Sequence, residues 1–345
     1  MRFGLFGSAQ ARRPEPGAEL TDSSQGFREW IDNNVEAEAL GFHSTFVVEH
    51  HFTGFGQVSA SLNLLTWLGA RTTTLRLGTA VLVLPWHNPV LLAEQAATLD
   101  LLSGGRLDFG VGKGYRYNEF AGFAMPMEEA DARFDESMEV ITKAFTSNEK
   151  FSHKGKFWQF DNVIVEPPPA ARPHPPFWMG AGSERSVRQV AERGYNLLLG
   201  QYDLMDDVVR HIAQFKKDVI ARGRQYDPME IGVARAVHFA DTPEELEAAQ
   251  VRRLQGHVRI NKLAEKPGDD RERFVHNDAE MRKLCDDTAI FGTADQIARK
   301  LEALRDDGAE YVIVNFGGSI KNIRRFAREI MPHFASEPRM AHAAK

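Results

Sequence analysis

Residues 44–56, S-T-F-V-V-E-H-H-F-T-G-F-G, decide how the rest of the chain is read. Residues 45–48 are β-branched and aromatic, without glycine or proline, which is the composition of a buried strand. Glu49, His50 and His51 stand where that strand runs out, ahead of an aromatic, glycine-containing loop. Chemistry-bearing side chains at a strand's carboxyl end are what α/β active sites are built from. The paired histidines do not read as a metal site. Successive strand side chains point to opposite faces, and zinc spacings on one regular element are i, i+2 or i, i+4. Taken alone, the dipeptide more readily describes one buried, hydrogen-bonded histidine beside a solvated one.

Outward from this stretch the chain alternates. Strands are predicted at 2–6, 44–49, 75–84, 106–111, 177–180, 196–200, 230–239 and 311–315. Helical periodicity fills the intervals, as at 89–103, where Asn88-Pro89 opens a helix and Gly104-Gly105 stops it. Eight strands alternating with helices imply parallel pairing with right-handed crossovers, and eight such units close into a (β/α)8 TIM barrel. The runner-up, a doubly wound open sheet, needs a glycine-rich dinucleotide turn after an early strand, and Gly7-Ser8-Ala9-Gln10 is not one. Three insertions decorate the barrel. Residues 150–160 read as a hairpin about Lys154-Gly155. The segment 166–176 holds six prolines and reads as an extended connector. The charged stretch 261–292 reads as a long mobile lid. Residues 1–345 are expected to form one domain.

Composition narrows the function. A net charge of −6 and a pI near 6.1 give no electrostatic case for nucleic acid or an anionic membrane surface. The one cysteine, Cys285, excludes an internal disulfide or a thiolate cluster and suits a reducing compartment. The longest apolar run, 80–86, is far too short to span a bilayer. A cytoplasmic protein is the simplest reading.

Two glycine-rich turns follow strands. Gly110-Val111-Gly112-Lys113-Gly114-Tyr115 lets the backbone approach a ligand, with Lys113 adding charge at the mouth. Met179-Gly180-Ala181-Gly182-Ser183-Glu184-Arg185-Ser186 ends a strand and opens a helix whose amides, with the Ser183 and Ser186 hydroxyls, would form a phosphate site. A plain N-cap at Ser183 explains the same residues. Gly317-Gly318-Ser319, after the eighth strand, is a rival phosphate site.

Several of these motifs fall in the order and spacing of one family. Met1–Phe6, Glu49-His50-His51-Phe52, Gly78-Thr79-Ala80-Val81, Gly104 to Gly110, Gly114-Tyr115 with Glu119-Phe120, Trp178 to Ser183 and Phe291-Gly292-Thr293 together resemble the bacterial luciferase-like monooxygenases, over nearly the whole chain. The resemblance implies a (β/α)8 barrel, commonly dimeric, that oxidises a small organic molecule with reduced FMN and O2. It makes His50 the catalytic histidine beside the flavin. Glu49, Ala80 and Val81 then contact the isoalloxazine, and the 80–81 peptide is one that relatives hold cis. Lys113, Gly114, Tyr115, Gly182, Ser183 and Ser186 bind the rest of the cofactor. Gly112 and Gln201 stand where luciferase has a cysteine and a tryptophan, which counts against aldehyde chemistry and light emission. With no nicotinamide motif in the chain, a separate NAD(P)H:flavin reductase is the implied partner, and a homodimer the implied assembly. A deazaflavin-dependent oxidoreductase, a non-catalytic flavin-binding protein and a metal hydrolase are the alternatives. Phe55, Trp86, Tyr115, Tyr202 and Asn315 are the candidate pocket groups.

Overall fold

The computed structural model describes residues 1–11, 23–264 and 278–335. The first half runs β1 (Arg2–Gly7), α1 (Gln25–Ala39), β2 (Ser44–Val47), α2 (Ser61–Arg71), β3 (Arg76–Thr79), β4 (Leu82–Val83), α3 (Pro89–Ser103) and β5 (Leu107–Gly112). A short α4 (Tyr117–Gly122) and a long α5 (Ala130–Thr146) follow, then the hairpin β6 (Phe151–Lys154) and β7 (Gln159–Val163). The second half runs β8 (Phe177–Gly180), α6 (Glu184–Arg193), β9 (Asn196–Leu199), α7 (Met205–Ala221), β10 (Ile231–Phe239), α8 (Pro243–Ala264), α9 (Asp278–Thr288), β11 (Ala289–Gly292), α10 (Ala294–Asp306), β12 (Tyr311–Asn315) and α11 (Ile320–Glu329).

The eight strands expected from sequence are the eight staves of a closed parallel barrel, β1-β2-β3-β5-β8-β9-β10-β12 and back to β1. Its strands are buried on both faces, so they read as continuous apolar runs rather than alternating ones. The expected strand over 75–84 is split. The Ala80–Val81 peptide is cis, and β4 resumes beyond it against β5. Local chemistry sets the helix ends. In α3, Asn88 Oδ1 accepts the amides of Val90 and Leu91, Pro89 occupies the first turn, and Gly104 closes the helix at φ 71°.

The insertions follow the sequence in part. The hairpin is present, and its turn is fixed by Glu136, which accepts the backbone N–H groups of Lys156, Phe157 and Trp158. The proline-rich connector carries no regular element. The expected lid over 261–292 needs correction at both ends, since α8 runs on to Ala264. Residues 278–288 are helical, and Ala289–Gly292 is an additional parallel strand on the carboxyl half of β10, from Ala236↔Ala289 to Phe239↔Gly292. Alanine and isoleucine there pack on the sheet, which the neighbouring charged residues concealed. Residues 265–277 lie outside the described part.

Inside the barrel an aromatic plug seals the lower half. Phe46, Trp178 and Tyr311 meet edge to face or tilted, with ring centroids 5.6 to 6.5 Å apart. Gly78 makes room for it, because a Cβ there would lie 2.3 Å from the Phe46 ring. Polar anchors complete the floor: Arg76 grips Asp108 through two N–H donors at 2.7 and 2.8 Å, and Trp178 Nε1 donates to the same carboxylate at 3.0 Å. With the floor filled, the cavity among the described residues opens at the strands' carboxyl ends.

Candidate active site

A cavity of about 1840 Å³ opens at that end. The candidate residues converge on it: Glu49, His50, Ala80, Val81, Lys113, Gly114, Tyr115, Gly182 and Ser186 all line its wall. So do Phe55, Tyr202 and Asn315. Trp86 does not. Its indole nitrogen is turned to Glu49 behind the wall, at 2.9 Å.

Beyond β2 the two histidines part company. His50 Nδ1 lies 3.0 Å from Glu119 Oε1, an oxygen that also accepts the His51 backbone N–H at 2.9 Å. Because that oxygen serves as an acceptor, Nδ1 is assigned the proton, and Nε2 keeps the ring's lone pair. Burial holds the His50 imidazole below its ordinary 6.5, against the opposing pull of Glu119. The ring is therefore a neutral base near pH 7. His51 instead joins a second knot. The Glu49 carboxylate, 2% exposed, accepts from His51 Nε2, Trp86 Nε1 and His87 Nε2, each at 2.9 Å. Burial alone would raise the Glu49 carboxyl, but these donors hold it down at about 2. Both histidines are thus hydrogen-bonded, to different carboxylates, and neither is the solvated partner that the dipeptide alone allowed. Among the described residues no group of three histidine, cysteine or acidic side chains is placed to hold a metal.

Lys113 follows β5, and the Gly182–Ser186 turn follows its neighbour β8, so strand order places the lysine beside the start of α6. Lys113 Nζ pairs with exposed Asp131 at 2.7 Å. Ser183 and Ser186 form a capping box, with the Ser183 hydroxyl accepting the Ser186 amide. Ser183 is exposed and serves as the N-cap, whereas Ser186 reaches the cavity wall. The rival turn Gly317-Gly318-Ser319 also rims the cavity, but four strands round from β5. Lys113 is the one lysine at the described wall.

Gly112 has a packing reason. A Cβ there would stand 2.4 Å from Val81 Cγ2, so the valine of the cis peptide fills the space that a larger residue would need. Gly112→Ala is therefore expected to destabilise the fold by about 1–3 kcal/mol, and the added change Val81→Ala to recover most of it. Denaturant midpoints of the three variants test this; a harmless Gly112→Ala would refute the packing argument.

The description of the matching family model is luciferase-like monooxygenase, and the match runs over residues 1–311. The chain belongs to this family. Among curated luciferase-like relatives, it is 26% identical over 356 residues to the oxygenase component of a flavin-dependent trigonelline monooxygenase from Acinetobacter baylyi, covering 97% of this chain and 96% of that protein. It is 27% identical over 312 residues to an FMNH2-dependent dimethylsulfone monooxygenase from Pseudomonas putida, covering 86% of this chain and 85% of that one. The crystal structure of monooxygenase RslO1 from Streptomyces bottropensis superposes with a TM-score of 0.81 at 23% identity, over 97% of this chain and 100% of that one, and so shares the luciferase-like fold.

Sequence reasoning passed over four members of the site. Glu119 entered only as part of a motif, and His87, Arg116 and Arg253 not at all. Arg116 lies three residues before Glu119, a helical spacing on a glycine-led loop that could have marked the pair. Nothing local marks Arg253 on α8, since the neighbours it acts on come from the loop after β9 and from α9.

Proposed function

We propose that this chain is the oxygenase of a two-component system, working as one domain in the cytoplasm. It receives reduced FMN from a separate NAD(P)H:flavin reductase and uses O2 to oxygenate a small organic molecule. One observation carries the reading. The elements suited to a flavin phosphate, a flavin ring and a proton-handling base lie on consecutive strand ends, β8 and β5, then β3, then β2. Bound reduced FMN supplies the oxygen activation. The chain's own residues do the rest: Lys113 and the α6 amides hold the phosphate, the glycine turn admits the cofactor, and His50 manages a proton at Nε2. The decisive experiment supplies enzymatically reduced FMN and O2 with a panel of ketones, heterocycles and aldehydes, and scores product against hydrogen peroxide. Turnover with a reduced deazaflavin and without O2 would move the assignment to an oxidoreductase of that type. Binding of oxidised FMN with no product from any substrate would favour a flavin-binding protein.

Lys113→Ala combined with Ser186→Ala is expected to weaken FMN binding by about 1–3 kcal/mol, the usual worth of hydrogen bonds to a charged group. Ser319→Ala should leave it near wild type. Titration followed by flavin fluorescence checks both, and the reverse ranking would transfer the phosphate to the β12 turn. A homodimer belongs to the same proposal. Trp67 on α2 and Leu102 on α3 are 67% and 69% exposed and offer a second copy an apolar surface, a point that light scattering of the intact protein tests.

A further inference from the structure

Beyond β8 and its glycine–serine turn, the loop after β9, together with β10, β12 and α8, builds a wall of different character. It carries Gln201, Tyr202, His238, Arg253 and Asn315. The loop ahead of α4 brings Arg116 to the same space, where α4 packs on α8.

Two arginines here are buried without the partners that buried guanidinium groups require. Arg116 is 2% exposed, and its Nε and Nη1 have no hydrogen-bond acceptor. Its nearest carboxylate oxygen, Glu119 Oε1, is 3.9 Å away and already accepts from His50 and the His51 amide. Arg253 is 7% exposed. Its Nη2 donates to the carbonyls of Gln201 and Thr288 at 2.7 and 3.4 Å, while Nε has no acceptor. Its guanidinium carbon stands 4.1 Å from the centre of the Tyr202 ring. Among the described residues no carboxylate forms an ion pair with Arg253. The positive field is felt nearby: burial first, then Arg253 and Arg252, hold the His238 imidazole down at about 4.

Buried guanidinium donors without acceptors are costly to maintain, and an anionic ligand that reaches them from the cavity offsets that cost. The guanidinium fork matches a planar carboxylate, and the Tyr202 face beside it suits a flat ring. We propose that the substrate is a small planar carboxylate, aromatic or heteroaromatic, whose carboxyl oxygens are held by Arg116 and Arg253 while its ring lies against Tyr202. This rests on the oxygenase reading above and adds the substrate class to it. His50 shares Glu119 with Arg116, so a carboxylate held there presents its ring to the same end of the cavity as the base.

The test needs no turnover. Protein loaded with oxidised FMN is titrated with benzoate and nicotinate, and with their neutral amides benzamide and nicotinamide, while the flavin spectrum is followed. Each carboxylate should bind roughly 10- to 100-fold more tightly than its amide, the range expected for charged hydrogen bonds. Added salt should narrow that gap little, because the pair is buried. In Arg116→Gln and Arg253→Gln the preference should collapse, with FMN affinity near wild type and the circular dichroism melt confirming a folded protein. Arg253→Lys should recover part of it. Equal affinities in the wild-type protein, or no perturbation by any carboxylate at millimolar concentration, would overturn the proposal without the use of any variant. Loss of FMN together with the carboxylate in a folded Arg253→Gln would reassign the arginines to the cofactor and overturn it too. Product from neutral substrates without carboxylate preference would leave the oxygenase reading standing and this one refuted. Carboxylate preference without oxygenation would do the converse.

Discussion

His50→Ala is expected to bind FMN as the wild type does and to lose productive oxygenation. In the proposed assignment FMN binding rests on Lys113, Ser186 and the glycine turn, whereas His50, with Nδ1 turned to Glu119, would act as the base through Nε2 at the cavity wall. General acid–base groups contribute about 10²–10⁴-fold, so product formation should fall by that order while oxygen uptake continues and hydrogen peroxide replaces product. The pH profile adds a second readout. Burial depresses the imidazole, so the neutral form persists at pH 7 and the acid limb of the product rate should have its midpoint below the ordinary 6.5. Glu119→Gln should move that limb, because it removes the charge that opposes the depression. His51→Ala should keep coupling near normal and lose stability instead, since its ring serves the Glu49 knot. Rapid mixing of reduced FMN and O2, with peroxide and product assays, separates these cases. A His50→Ala protein with normal coupling would sink the assignment.

The second large effect concerns Glu49. Replacing it by alanine strands three ring N–H donors, those of His51, Trp86 and His87, in a buried site, and is expected to cost about 3–5 kcal/mol of stability. The carboxylate also fixes how stability depends on pH. Its folded value near 2 lies below its ordinary 4.5, so the stabilisation is fully present above 4.5 and fades as pH falls towards 2. The gap corresponds to about 3 kcal/mol. Denaturant unfolding of the wild type and Glu49→Gln at pH 7 and pH 3 reads it directly. The difference between the two proteins should be largest at pH 7 and shrink by more than half at pH 3. A constant difference across that range would show that the charge of Glu49 is not what holds the three rings.

Particular residues show how much of this was legible beforehand. The barrel was legible because each stave is a short apolar run bounded by turn residues and followed by a helical pattern, as at 107–112 and 196–199. The glycine–serine turn at 179–186 and His50 were legible as polar residues placed where such runs end, and both reach the cavity. Strand β11 was not, because four residues amid a charged segment carry too little pattern to outweigh their surroundings. Trp86 was legible as an aromatic near the mouth, yet the direction of its ring was decided by the buried carboxylate that needed its N–H.

The sequence by itself determined the alternation of strands and helices, hence a closed parallel barrel with its chemistry at one end, since hydrophobic periodicity and turn residues act over a few neighbouring positions. Only the tertiary structure decided which carboxylate each histidine serves, that Val81 fills the space above Gly112, and that Arg116 and Arg253 share one cavity with spare donors. Apart from His51 with Glu49, those pairings join groups far apart in the chain: 31 positions for Val81 and Gly112, 69 for His50 and Glu119, and 137 for Arg116 and Arg253. Barrel closure and the burial of polar groups, which must find partners once water is excluded, select them, and neither is expressed in any local stretch of chain.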